Sequence, residues 1–107
     1  MKKDRIYFTI AGTSYYFGSE FMEPGMHVTL IKEPDNPADA EAIRVEMPGL
    51  GKVGYVANSP GTVQGESMSA GRIYDKIGDT FVGIIRYVTP AGVICELYMV
   101  DEAEEDL

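Results

Sequence analysis

The chain has 107 residues, 45% of them hydrophobic, and a formal net charge of −8. This is the composition of one soluble globular domain, long enough to bury a core. The acidic balance argues against a protein that grips nucleic acid through bulk electrostatics. Every long apolar-rich stretch contains Thr, Gly, Arg or Glu, which excludes a membrane-spanning helix.

Lys2 and Lys3 ahead of Ile6 to Ala11 invite comparison with a signal peptide. Asp4 and Arg5 interrupt that pattern, and the apolar run is short and alternates with period two, so it is set aside. The single cysteine, Cys95, has no partner for an internal disulfide, and a reducing cytoplasm is the expected compartment. The charge is unevenly placed: Asp101 to Leu107 carries five of the 17 acidic residues, leaving 12 acidic against nine basic elsewhere. The expected organisation is one domain over residues 1–100 and a solvated, disordered acidic tail over 101–107.

In chain order, Arg5 to Ala11 alternates as a strand with one wet face. Gly12 to Gly18 is a glycine-bounded loop rich in aromatics, and Glu20 to Pro24 is read as a short helical turn. Pro24-Gly25 signals a turn, and Met26 to Lys32 alternates again. The polar loop Pro34-Asp35-Asn36-Pro37-Ala38-Asp39 leads into a strand over Ala42 to Met47. Pro48 to Gly51 turns the chain into Lys52 to Val56, the return arm of a hairpin. Asn58 to Ala70 is the best helix candidate, with Asn58 or Ser59 as cap and Pro60 in the first turn, weakened by Gly61 and Gly65. Thr80 to Val88 and Ala91 to Val100 form a second hairpin around Thr89-Pro90. About six strands, one or two short helices and no βαβ rhythm predict a mainly β fold, a small, partly closed antiparallel barrel.

Catalytic and metal signatures are weak. Gly49-Leu50-Gly51-Lys52-Val53-Gly54 matches G-x-G-x-x-G, but it runs into another strand instead of opening a helix, so it is a hairpin turn and not a phosphate loop. His27 and Cys95 are the only His and Cys, too few for a zinc site. Cys95 reads as a small core hydrophobe. Gly65-Glu66-Ser67-Met68-Ser69 lacks the second glycine of a nucleophile elbow, and no histidine follows it. No carboxylate has the apolar neighbours that would raise its pKa for general-acid work. The sequence points away from an enzyme, with no metal or cofactor.

Two loops are candidate binding elements. Pro34 and Pro37 stiffen the polar loop that presents Asn36 and Asp39. Its plainer reading has Asn36 capping a one-turn helix with Pro37 in the first position. Tyr15 and Tyr16 follow a strand, where exposed rings can stack on nucleobases for about 1–3 kcal/mol each or anchor a protein partner. One of them turning inward to plug the barrel is the structural alternative.

An ordered series runs Gly12-Thr13-Ser14-Tyr15-Tyr16-Phe17-Gly18, Val28-Thr29-Leu30, Glu33-Pro34-Asp35-Asn36-Pro37-Ala38-Asp39, Ala42-Ile43-Arg44-Val45 and Val53-Gly54-Tyr55-Val56. Over residues 6–100 this resembles a HIRAN domain, whose fold is a modified OB-like β-barrel with short helices. HIRAN domains occur alone in bacteria and at the front of DNA translocases in eukaryotes, where one member captures the 3′-hydroxyl end of single-stranded DNA at stalled replication forks. The resemblance implies that Tyr15 stacks on the terminal bases, Asp39 accepts a hydrogen bond from the 3′-hydroxyl and Asn36 lines the same pocket.

The chain also departs from that pattern. An arginine before the double tyrosine is Ser14 here, and a second stacking tyrosine is Ala38. A histidine and a lysine that hold phosphate align with Tyr55 and Asn58. Lys32, Arg44 and Lys52 are the residues left to supply charge. The expected ligand is a single-stranded DNA end, in DNA repair or replication-fork processing, with a helicase or nuclease acting in trans. The alternative is a protein- or peptide-interaction module that keeps the fold and has lost DNA binding. A monomer is expected, or a weak dimer through the edge strands of the incompletely closed barrel.

Overall fold

A computed structural model describes residues 5–98; the expected acidic tail at 101–107 lies outside the described residues. Six strands form a closed antiparallel barrel in the order β1-β4-β3-β2-β5-β6. They are β1 (Tyr7–Ala11), β2 (His27–Lys32), β3 (Ile43–Met47), β4 (Gly51–Val56), β5 (Thr80–Thr89) and β6 (Gly92–Leu97). A 3-10 turn covers Thr13–Tyr15, and a one-turn helix α1 (Ala70–Ile73) runs into a second 3-10 turn at Tyr74–Lys76.

Alternation builds the core. Phe8 and Ile10 of β1, Val28 and Leu30 of β2, Ile43 and Val45 of β3, and Val93, Cys95 and Leu97 of β6 all point inward and are buried. Each such side chain contributes on the order of 1.5–3 kcal/mol by leaving water. Among the described residues no buried side-chain nitrogen or oxygen lacks a hydrogen-bond partner.

The barrel closes fully, where partial closure was expected. β6 pairs with both β5 and β1, the latter from Tyr7 opposite Glu96 to Ile10 opposite Val93. The ring is completed by a short β1–β4 contact, Ile10 opposite Val56 and Ala11 opposite Tyr55. Each of the six strands thus has a paired neighbour on both sides.

Two helix expectations are overturned. Residues 59–69 form successive turns, closed by Thr62 N–H to Ser59 O and Ser67 N–H to Gln64 O. Gly65 sits at φ +56°, a left-handed conformation that ends helical propagation. Only Ala70–Ile73 at the end of the expected span is helical. Glu20 to Pro24 is likewise no helix, but a turn closed by Met22 N–H to Ser19 O. Bonds to β1 hold the long loop instead, Met68 N–H to Tyr7 O at 2.7 Å among them, and within the loop Ser67 Oγ donates to Gln64 O at 2.6 Å. Its one proton being spent, Thr9 Oγ1 is the donor across the buried 2.7 Å contact to Ser67. Thr9 Oγ1 in turn accepts from Gln64 N–H. Ser67 is therefore a buried structural hydroxyl.

A β-bulge positions the outer face of the β3–β4 hairpin. Pairing shifts between Val45 and Glu46, so that Gly54 opposes Val45 and Lys52 opposes Glu46. Val53 and Gly54 are both buried, and Lys52 and Tyr55 therefore share the outward face despite their odd spacing. Gly54 is required by close approach: a Cβ there would stand 2.7 Å from both Ala11 O and Ile10 Cγ2.

Candidate functional site

The loop between β2 and β3 is tied at its base by Glu33 N–H to Ala42 O at 2.9 Å. Asn36 Oδ1 accepts from Ala38 N–H at 2.8 Å and from Asp39 N–H at 3.1 Å. These are the bonds of a helix cap, yet no helix follows. Asp39 instead opens a second turn, its Oδ1 accepting from Glu41 N–H at 2.9 Å and its carbonyl from Ala42 N–H. Asn36 thus braces a chain of side-chain-capped turns, which corrects the one-turn-helix expectation.

Asp39 is fixed at its other oxygen as well. Asn58 Nδ2 donates to Asp39 Oδ2 at 2.8 Å, and Asn58 Oδ1 accepts from Gly71 N–H at 2.8 Å. Asn58 sits two residues beyond β4, and Gly71 in the first turn of α1. The amide therefore clamps the polar loop to the helix. A Cβ on Gly71 would approach Glu41 Oε1 to 2.5 Å and Asn58 Oδ1 to 3.4 Å.

On the other side Asn36 Nδ2 donates to Glu33 Oε1 at 2.9 Å. Tyr55 hydroxyl donates to the same oxygen at 2.9 Å and accepts from Lys52 Nζ at 2.9 Å. Arg44 bonds Glu33 Oε2 at 3.3 Å and Glu46 Oε2 at 2.7 Å. Partial burial pushes the Glu33 carboxyl up, but the bonds from Asn36, Tyr55 and Arg44 and the charge of Lys52 outweigh it and hold it below the usual carboxylate range. Lys52 is held above its usual value, first by its bond to Tyr55. One connected polar network thus runs from Lys52 through Tyr55, Glu33, Asn36 and Asp39 to Asn58. An open cleft of about 430 Å³ lies beside it, lined by Lys32, Arg44 and the loop from Glu33 to Pro37, Asp35 included.

Neither candidate tyrosine turns inward: Tyr15 is 85% exposed and Tyr16 41%. Gly12 at φ +74° starts the 3-10 turn that carries Tyr15. Thr13 in that turn faces Gly54, 3.5 Å from where a Cβ would stand. The side-chain-free patch of β4 thus seats the aromatic loop. Lys52 Nζ lies 5.8 Å from the Tyr16 ring centroid and 4.9 Å from that of Tyr55, which joins Tyr16 to the network. Tyr16, Asn36, Asp39, Tyr55 and Asn58 are therefore linked through hydrogen bonds and one cation–π contact, and Tyr15 projects into solvent beside Tyr16.

Sequence reasoning missed Glu33 as the hub and Lys52 as its neighbour. Glu33 follows the end of β2, directly before a proline, and in sequence looks like any solvated acid. Lys52 and Tyr55 share a face only because of the bulge, whose one sequence signal is Gly54 inside a strand pattern. Cys95 is fully buried, with its thiol pushed by burial up to about 12. His27 is exposed on β2. Among the described residues no three His, Cys, Asp or Glu side chains stand together in a way that would hold a metal ion, and no helix is long and apolar enough to cross a membrane.

The family model for the HIRAN domain matches residues 3–102. Two solved structures share the fold. One is a Lactobacillus plantarum protein, 20% identical, with a TM-score of 0.59 over 88% of this chain and 93% of that one. The other is the HIRAN domain of human HLTF, 19% identical, with a TM-score of 0.59 over 95% of this chain and 81% of that one. No curated protein matches the chain by sequence.

Proposed function

The chain belongs to the HIRAN domain family, and from that premise we propose that it is a non-enzymatic nucleic-acid-binding module that holds the 3′-hydroxyl end of single-stranded DNA against Asp39. The observation that carries this reading is the Asp39 carboxylate, placed at both oxygens by Glu41 N–H and the Asn58 amide. An ionised carboxylate offers about four acceptor sites, and two are used. The remaining capacity suits a hydroxyl, and its charge repels a terminal phosphate. Asn58 keeps a second amide proton for a ligand oxygen. Tyr15 and Tyr16 offer exposed ring faces to the preceding bases, for about 1–3 kcal/mol per base. Asn36 holds the loop that presents Asp39, and Tyr55 holds its acidic hub. The reading places the module in the cytoplasm, working in trans with a helicase or nuclease in DNA repair.

Fluorescence anisotropy at low salt tests it, with a short labelled strand ending in a 3′-hydroxyl or a 3′-phosphate. The hydroxyl end should bind more tightly, and Asp39→Ala should remove the preference. Absence of binding at low salt, or a preference indifferent to Asp39→Ala, would sink the proposal.

One observation favours a second reading, a pocket for a protein tail. Arg44 is paired with two carboxylates and Lys52 lies near Glu33, so much of the site's positive charge is answered within the chain. Retention of a protein partner after nuclease treatment, without any DNA binding, would select it.

A further inference from the structure

Lys32, Arg44 and Lys52 all lie around Glu33 or the cleft beside it, but they are not equivalent. Arg44 is committed to two carboxylates, at 2.7 Å to Glu46 and 3.3 Å to Glu33. Lys32 donates to Ile77 O at 2.8 Å and stands 4.4 Å over the Tyr74 ring, directed at the segment after α1. Lys52 differs from both: its direct hydrogen bond is to a neutral hydroxyl, Tyr55, and its nearest carboxylate oxygen, on Glu33, is 3.8 Å away. Of the three it alone faces the Tyr16 ring.

We propose that Lys52 is the phosphate ligand of this site, leaving the Tyr55 hydroxyl to meet the phosphate beside the base that stacks on Tyr16. The inference rests on the nucleic-acid-binding reading above and names the residue that supplies the charge absent at Ser14, Tyr55 and Asn58. An ammonium carries three protons on a flexible four-carbon stem, and a phosphate oxygen adds the attraction of an opposite charge, which the neutral Tyr55 hydroxyl does not offer. The exchange leaves nothing orphaned. Tyr55 still donates to Glu33, and Glu33 keeps Arg44 and Asn36. The Lys52 side chain is already 34% exposed, so little burial opposes its release.

The test is a titration of the 3′-hydroxyl strand between 50 and 200 mM salt with wild type, Lys52→Gln, Lys52→Met and Lys52→Arg. A single strand gives a slope of about 0.7 in log K against log salt for each phosphate neutralised. Lys52→Gln and Lys52→Met should each flatten the slope by about that amount, so that their weakening relative to wild type shrinks roughly 2.5-fold across the range. Lys52→Met keeps an unbranched apolar side chain without the charge, and Lys52→Arg should keep the wild-type slope. The preference for a hydroxyl end should survive in all of them, because Asp39 sets it. Weakening by one factor at every salt concentration would mean that Lys52 acts only through the Glu33 network, and would overturn the inference while wild-type binding still stood. Failure of wild type to bind either strand would overturn the reading beneath it as well.

Discussion

Asn58 shows how a single side chain carries both stability and a site. Its amide bonds Asp39 on one side and Gly71 N–H on the other, so Asn58→Ala strips a helix-turn donor of its acceptor and frees Asp39 Oδ2 at once. Leaving a part-buried donor unpaired costs about 1–3 kcal/mol. Denaturant unfolding should show a loss of that size, and the same variant should discriminate less between hydroxyl and phosphate ends. Glu33 makes a different prediction, in pH. Its folded pKa lies below the ordinary 4.5, so the unfolded chain binds more protons in the window between the two values. The contribution of Glu33 to stability is complete above the ordinary value and is lost as pH falls through the lower folded one. Glu33→Gln should therefore flatten the acid limb of the stability curve, as measured by unfolding at stepped pH; an acid limb as steep as that of wild type would mean the folded Glu33 carboxyl is not held down. At this scale the place of the polar loop was legible in the sequence, from Pro34 and Pro37 between two alternating runs, while the one-turn helix read into it is a chain of capped turns. The role of Asn58 was not, since its two partners are brought to it by elements 19 residues before and 13 after.

Among the elements, all six strands were legible: β1, β2 and β3 from period-two alternation, and β4, β5 and β6 from the turns at Pro48 to Gly51 and Thr89-Pro90 that bound them. The failures lie where a third dimension intervenes. A helix over Asn58 to Ala70 satisfied capping rules at its start, but its interior bonds to β1 through Thr9, Gln64 and Ser67 instead of to itself. No local propensity reports such a bond. Thr9→Val tests it directly. The substitution removes the hydroxyl that satisfies Gln64 N–H and donates to Ser67, at a site that is 1% exposed, and should cost roughly 1–3 kcal/mol. Hydrogen exchange should show protection lost first at Gln64 and Ser67, with the barrel strands unaffected. Loss spread evenly over the barrel would mean that the loop is not separately held. Full closure was equally hidden, because it depends on which strand β1 meets at its far end, and the bulge on β4 breaks the alternation that sequence reasoning follows.

For the whole molecule the relevant feature is that β6 is paired along both edges, and Cys95 lies on both seams, opposite Phe8 of β1 and Ile85 of β5. No local fraying exposes such a residue without parting a seam of the closed ring. The thiolate is the reactive species, and burial pushes the folded thiol up to about 12, so at mildly alkaline pH the native chain presents a protonated, inaccessible sulfur. Labelling then proceeds through opening of the barrel. With a domain stability of roughly 5–15 kcal/mol, it should run at least about a thousandfold slower than for a free cysteine. A chromogenic disulfide reagent should titrate one thiol promptly in denaturant and almost none in native buffer. The native rate should rise in Thr9→Val only if the loop on β1 opens together with the β1–β6 seam. Prompt native labelling would show that the ring opens at β6 while the rest of the barrel stands. Since β1 and β4 meet over only two residue pairs, the β1 side is where such an opening would spread.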